Sequence, residues 1–494
     1  MTVRPGFVYD VPTTFDPETD LGARLELADS LITEIEEEAE KTAHGWTAEP
    51  LQDEDRGGHV ITLSPTVQRF VHSDADVLMI YSARGEGKLN RNGTPVLTPT
   101  GWTKIEDLTV NDVVVAGDGT LTKVVGVYPQ PRQPVWRVVF SDETSTVVGD
   151  EHLWAVETSW DRDSWSRRHT AAVKGMPPAT RSGCVRAWAP RPTRQSRTAG
   201  TKIVTTQEIR MHLKAGTWRV GGRWSIPLVG AVQFPEHGIP LDPYLVGVLL
   251  GDGSFTRPTG LTLANSDAEN VESVRRALPD GDTIHRADAR VSGSGEPINW
   301  RIRGRRTRRA LDALGLGGHR AWDKFVPPVY LWNAPAIRLA VLQGLLDTDG
   351  MILGHSNSVS YSTTSPRLAD DVVFLVQSLG GTAPIRTRRT HYSYKGERRA
   401  GRLSYHVSIR LPNGVTPFRL TRKVTRVRDK GQRNAVKRHI VRAESAGSDD
   451  AICIEVAHPS GLFVVNDFIV THNTVAGVAR VLKVAHDNPA AWPI

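Results

Sequence analysis

The chain of 494 residues has only two cysteines, Cys184 and Cys453. Two thiols cannot build a disulfide scaffold or a cysteine-based zinc site, so a reducing compartment is expected. No apolar run approaches the roughly 20 residues that cross a bilayer. The opening "MTVRPGFVYDVPTTFDPETD" also lacks the basic and then apolar pattern of a signal peptide. A cytoplasmic protein without membrane contact is the expectation. An acidic balance is missing too: 61 Lys and Arg against 54 Asp and Glu leave a net charge of +7, which favours a polyanionic partner. What the chain does have is length for roughly three domains, each with its own core.

Near the start, Leu21 to about Thr42 reads as an acidic helix with an apolar stripe of Leu25, Leu27, Leu31, Ile32 and Ile35. "VLMIYSARGEGK" follows, an apolar strand running into a Gly-rich turn with Gly85, Gly87 and Lys88. This is the first part of a P-loop, whose lysine should be followed by Ser or Thr to hold the nucleotide's magnesium. Leu89 and Asn90 follow instead. The missing part stands near the far end, where Thr474 precedes the amphipathic "VAGVARVLKVAH". Deleting residues 89–473 restores strand, phosphate loop and helix in order, and with them a site for ATP and Mg2+.

The end of that removable stretch, "CIEVAHPSGLFVVNDFIVTHNT", delivers Thr471, His472, Asn473 and Thr474 in a row after an apolar strand. An Asn carboxamide can attack its own main-chain carbonyl and cut the chain, a neighbouring His can donate to that carbonyl, and a following hydroxyl can hold the other segment as an ester. The His-Asn-Thr order resembles the downstream junction of an intein, and two independent signals thus predict the same excision, with junctions Lys88–Leu89 and Asn473–Thr474. Splicing so read needs no cofactor.

The segment after Leu89, "NGTPVLTPTGWTKIEDLTVNDVVVAGDGTLTKVVGVYP", alternates apolar and polar residues between turns and resembles the opening block of an intein's all-β horseshoe. That block normally begins with Cys or Ser. Leu89 cannot start an acyl shift, so either the element is dead or another nucleophile opens the Lys88–Leu89 bond. "DEHLWAV" supplies His152 and Trp154, and Trp154, Cys453 and Thr471 together match the signature of class 3 inteins, which lack a nucleophilic first residue. The resemblance implies that Cys453 attacks the carbonyl of Lys88, that the acyl group passes to Thr474, and that Asn473 then cyclises. A thiol is the side chain suited to this near neutral pH. On the same resemblance His152 polarises the scissile amide and Trp154 packs beside the thiol to exclude water. Thr471 either hydrogen-bonds in the centre or only favours a strand. Taken singly, a buried Cys, Trp or His reads as core.

Between the splicing halves stand "LVGVLLGDG" and "LQGLLDTDG", two apolar helices ending in Asp-Gly. They resemble the paired motifs of LAGLIDADG (DOD-type) homing endonucleases. Gly247, Gly251 and Gly344 would let the helices pack backbone to backbone and bring Asp252 and Asp349 together to hold Mg2+ against scissile phosphates. "LTLANSDAENVESVRRAL" and "YSTTSPRLADDVVFLVQSLGG" read alike, each a strand, a cap and a helix, as an internal duplication would give. The resemblance places Lys324, in "WDKFVPPVYL", near the phosphates; a solvated surface charge is the plainer reading. Arginines gather in "NWRIRGRRTRR" (Arg301, Arg303, Arg305) and "IRTRRTHYSYKGERRAGRLSYHVSIRL" (Arg386, Arg388, Arg389, Arg398, Arg399, Arg410), strands expected to lie on double-stranded DNA.

The expected fold class is therefore multi-domain α+β: an all-β splicing domain in two pieces (89–233 and 420–473), a pseudo-symmetric α/β endonuclease of monomeric type (234–419), and fragments of a P-loop α/β ATPase (1–88 and 474–494). "SPTVQRF" ahead of "YSARGEGK" resembles the start of a phage terminase large subunit, which would imply portal and small-terminase partners in a bacterial host carrying the phage. A helicase or another P-loop ATPase is the alternative host. A splicing-defective element that persists as a DNA-binding or DNA-cutting protein is the alternative function.

Overall fold

The computed structural model describes residues 89–157, 202–216, 224–257, 260–287, 299–353, 358–394, 397–427 and 436–472. The chain divides into units 1–82 and 83–494, and the described residues belong to the second. The expected acidic helix, Gly85, Gly87 and Lys88 of the phosphate loop, Cys184, and Asn473, Thr474 and the helix after them lie outside the described residues.

The first stretch contributes strands β1 (Asn90–Arg91), β2 (Pro95–Thr98), β3 (Gly101–Lys104), β4 (Val113–Val115), β5 (Leu121–Phe140), β6 (Ser145–Gly149), β7 (Leu153–Val156) and β8 (Lys202–Thr205), then helix α1 (Thr206–Lys214) and β9 (Ser225–Ile226). A duplicated module follows. Its first half is α2 (Pro243–Asp252), β10 (Gly253–Arg257), β11 (Gly260–Ala264), α3 (Ala268–Ala277), β12 (Thr283–Arg286), β13 (Asn299–Arg303) and α4 (Arg306–Ala313). After the short α5 (Pro328–Leu331), its second half is α6 (Pro335–Asp349), β14 (Gly350–Ile352), β15 (Val359–Thr363), α7 (Pro366–Ser378), β16 (Ile385–Tyr394), β17 (Glu397–Ile409) and α8 (Thr421–Val424). The chain then returns to the β module with β18 (Arg438–Val456), β19 (Leu462–Val465) and β20 (Ile469–His472).

Two sheets build the β module, ordered β4-β5-β6-β1-β18-β9 and β20-β19-β2-β3. Alternation sets the faces: in β5, Thr122, Val124 and Gly126 are buried while Leu121, Lys123 and Val125 face solvent. The sequence suggests short strands here, yet β5 runs on through Pro129, Pro131 and Pro134 because its ladder with β18 shifts register in that stretch. The first and last strands of the β module interleave, since β1 inserts between β6 and β18, and β2 pairs with β19, which pairs with β20.

The duplicated module shows its repeat in both order and caps. Each half has a four-stranded sheet of the same topology, β10-β11-β13-β12 and β14-β15-β17-β16. Asp267 caps α3 and Ser365 caps α7 through side-chain oxygens that accept main-chain N–H groups. The halves share one apolar core in which Leu245, Val248, Leu249, Val341, Leu342 and Leu345 are fully buried, each contributing about 1.5–3 kcal/mol. That core continues past Arg419, since Val424 and Val427 pack on it. No described helix is long and apolar enough to cross a membrane.

One seam joins the β module to the duplicated one. The Val232 N–H donates to Ser378 O at 2.9 Å, and the fully buried Arg338 donates to Val232 O, Ser378 O (2.9 Å) and Asn333 O (2.8 Å). Phe374 of α7 meets Phe468 edge-on at 5.2 Å, while Trp102 meets Phe468 from the β module at 5.3 Å.

Candidate active sites

The first centre forms where the ends of the β module meet. Cys453 lies within β18 and is 4 % exposed, in an apolar cluster with Leu89, Ala451 and Tyr128. Leu89 is fixed by its main chain, because the Gly149 N–H donates to Leu89 O at 2.8 Å. A side chain at Gly149 would crowd Leu89 Cβ, at 3.1 Å, so glycine lets the strand approach. The thiol expected to open the upstream junction therefore packs against the first residue after it.

His152 continues this chain of contacts. Its N–H donates to Gly149 O at 3.2 Å, and its Nε2 hydrogen-bonds the Thr471 hydroxyl; His152 is fully buried and Thr471 1 % exposed. The Thr471 hydroxyl hydrogen-bonds within this buried cluster, and Thr471 is also a strand residue of β20. Backbone and side-chain bonds thus run from Leu89 through Gly149 and His152 to the last strand. Trp154 packs beside this imidazole. Its indole meets His152 edge-on at 5.0 Å and Phe140 at 5.8 Å, and its Nε1 donates to Thr206 Oγ1 at 3.1 Å. The indole braces the imidazole, while the thiol has its own apolar cluster. Thr206, which no sequence motif singles out, also donates from its N–H to His152 O at 2.9 Å. Its position at the start of α1, after a capping box by Thr205 and Glu208, is the one local signal for it. His472 closes β20, opposite Leu462.

The second centre lies at the ends of α2 and α6. A Cβ on Gly247 would strike Val341 O and Gly344 Cα, and one on Gly344 would strike Tyr244 O and Val248 N, so these helices touch backbone to backbone. Gly251 faces Thr348, and a Cβ there would come within 3.2 Å of Asp349 Oδ2. Burial, then the neighbouring Asp349, pushes Asp252 up to about 6, and burial raises Asp349 as well. Asn265 Nδ2 donates to Asp252 Oδ2 at 2.7 Å. Two hard oxygen donors at one spot suit Mg2+, which keeps several waters and takes substrate phosphates as further ligands. Among the described residues no cluster of three or more metal-ligating side chains forms.

Lys324 is 4 % exposed, which excludes the solvated-surface reading. Its ammonium donates to the terminal carbonyls around α2, Leu250 O at 2.7 Å and Gly253 O at 2.8 Å among them. It anchors the helix end that carries Asp252. Lys423 does the same for α6, donating to Leu346 O (2.7 Å), Asp347 O (2.8 Å) and Gly350 O (2.8 Å). Burial pulls both ammonium groups down to about 8. Lys423 is invisible in the sequence, where "TRKV" reads as an ordinary basic turn.

The arginines fall mostly on the sheets. Arg301 and Arg303 of β13 are exposed on the face opposite buried Ile302, and Arg386 and Arg388 of β16 are exposed on the face opposite Ile385. Arg389, Arg398 and Arg399 extend the basic surface along the β16–β17 hairpin, Arg399 pairing with Glu397 at 2.9 Å. Two depart from the strand expectation: Arg305 sits at the start of α4, and Arg410 lies just beyond β17 with its Nε donating to Ser358 Oγ at 3.1 Å.

Residues 336–410 match the LAGLIDADG-like domain family. A replicative DNA helicase DnaB of Mycobacterium intracellulare is 28 % identical over 81 % of this chain and 61 % of its own length. The ATP-dependent DNA helicase Hel308 of Thermococcus kodakarensis is 44 % identical over 14 % of this chain and 6 % of its own. Among solved structures, the MchDnaB-1 intein aligns at 36 % identity with 14 % of this chain and 53 % of its own, with a TM-score of 0.14. The chain thus spans about three fifths of the first of these curated relatives and a small part of the second.

Proposed function

We propose that residues 89–473 excise themselves from the chain and join residues 1–88 to 474–494, and that the duplicated module is a DNA-cutting endonuclease carried within the excised piece. The observation that carries the splicing reading is the packing of the Cys453 thiol against Leu89, with His152 bridging that region to Thr471. Each step balances in atoms and protons. The sulfur adds to the Lys88 carbonyl and expels the Leu89 nitrogen, which takes a proton; the acyl group moves to the Thr474 oxygen; the Asn473 carboxamide nitrogen closes a succinimide and frees Thr474; and the ester shifts to the Thr474 nitrogen. In this reading His152 would donate at the upstream carbonyl, and the buried, apolar surroundings of the thiol would protect a thioester from water.

In the endonuclease, Asp252 and Asp349 would hold a divalent cation, which supplies activation of a water and charge for the leaving oxygen. Lys324 and Lys423 fix the two helix ends, and the exposed arginines give phosphate affinity. For the interrupted protein we infer a P-loop ATPase assembled from Gly85, Gly87, Lys88 and Thr474, with ATP and Mg2+ as its ligands. The flanks 1–88 and 474–494 are a small part of the chain, so a match over 81 % of it falls mostly within 89–473. The helicase relatives therefore speak chiefly to the insert; a helicase host agrees with their names, and the terminase reading rests on the flanking residues alone. Because the insert separates Lys88 from Thr474, the precursor should not bind ATP–Mg2+ productively.

Expression of the whole chain and weighing of its products tests the proposal. Splicing yields the excised piece and a joined flank, whereas a single intact chain supports the alternative of a DNA-binding or DNA-cutting protein that no longer splices.

A further inference from the structure

The last strand of the β module enters from an unusual bend. Asp467 and Phe468, neither of them glycine, adopt successive positive φ values of 53° and 54° immediately before β20. L-residues disfavour this region, so such a bend persists only when its surroundings hold it. Arg438 does so. It is fully buried, its Nη1 donates to Phe468 O at 3.1 Å and its Nη2 to Asp467 O at 3.0 Å, and its Nε donates to Asp142 Oδ2 at 2.8 Å in the β5–β6 turn. The Asp142 carboxylate, 4 % exposed, balances the charge. Asn466 adds a tie from the same bend, its Nδ2 donating to Ser145 O at 2.8 Å. One guanidinium therefore fastens both carbonyls of the strained bend to the turn that leads into β6, whose last residue, Gly149, holds Leu89.

We infer that Arg438 is a positioning residue for the downstream half of the splicing reaction. β20 is only four residues long, so the direction given at Phe468 sets where Thr471 and His472 arrive, and Asn473 is the next residue in the chain. At about 3.3 Å per residue, Thr471 stands roughly 10 Å beyond the anchored carbonyl, and a small change of angle there displaces it by a distance that matters for attack geometry. Cys453, in contrast, meets Leu89 at the other end of β18, 15 residues along the strand from Arg438. The inference rests on the splicing reading and makes a sharper demand: loss of Arg438 should separate the two halves of the reaction.

The test uses the full-length precursor with Arg438→Met, Arg438→Lys and the milder Asp142→Asn. Two rates are read in each: cleavage at Lys88–Leu89 by added thiol, which reports the branched thioester, and release of the segment after Asn473. Arg438→Met should slow the downstream release at least about tenfold while thiol-induced cleavage stays within about threefold of the parent. Arg438→Lys should recover part of the loss, and Asp142→Asn should show a smaller loss in the same step. Equal falls in both rates across the three variants would mark Arg438 as merely structural, and unchanged downstream release would remove it from the reaction. A parent precursor that never splits would instead overturn the splicing reading itself.

Discussion

The two centres are built on opposite plans. The centre proposed for splicing gathers single copies from remote segments, Leu89, His152, Cys453 and Thr471, and joins them through hydrogen bonds and apolar packing. The centre proposed for DNA cleavage is made twice, each time from a helix ending in Asp-Gly and a lysine 74 or 77 residues further on that binds its last carbonyls, and it concentrates buried charge. The difference follows from the chemistry each is suited to. Acyl transfer within one chain needs placement and dryness. Phosphodiester cleavage needs a cation, hence acids held close together at a cost that the cation offsets.

If the centres are as separate as this comparison holds, each can be broken alone. The largest expected effect is on DNA cleavage. Asp349→Asn should lower double-strand cutting by about a thousandfold, at the upper end of what removal of one catalytic group costs, and leave splicing unchanged. A parallel loss of spliced product, seen on the same gel, would show that the sites are coupled. Thr471→Val should act in the other direction. Without the hydroxyl that partners His152, splicing should slow by about tenfold to a hundredfold, with DNA binding intact in a mobility-shift assay.

A smaller effect is expected from pH. Asp252 is raised to about 6 by burial and by Asp349, so without cation its protonated form is favoured and its contribution to stability is lost as pH rises through about 6. Cation binding requires the ionised form. Mg2+ affinity should therefore fall about tenfold per pH unit below 6, and Mg2+ should raise the melting temperature more at pH 7.5 than at pH 5. An equal increase at both values would contradict the shared carboxylate site. The smallest effect should come from the seam. Phe374→Leu removes an edge-on contact with Phe468 and should destabilise by about 1 kcal/mol, read as a modest fall in melting temperature with both activities retained.

Much of this layout is legible in the amino-acid sequence. The alternation after Leu89, the Asp-Gly ends of two apolar helices and the glycines between them are local patterns, and local patterns survive in a sequence. The capping residues Asp267 and Ser365 are legible for the same reason. What escapes depends on contacts between distant segments. Lys423 acts only because α8 folds back onto the end of α6, and Arg438, in the basic run "VKRHIVR", gives no hint that it is buried. Trp154 stands out in the sequence, but its edge-on contact with His152 is seen only in the fold, since a signature names residues without saying which of them touch.

The central claim is that the sulfur of Cys453 opens the Lys88–Leu89 bond, and its most direct test is the mass of the products from precursors carrying Cys453→Ala or Cys184→Ala. The account predicts that residues 1–88 joined to 474–494 disappear with Cys453→Ala and persist with Cys184→Ala. The same joined product from the Cys453→Ala precursor would contradict it.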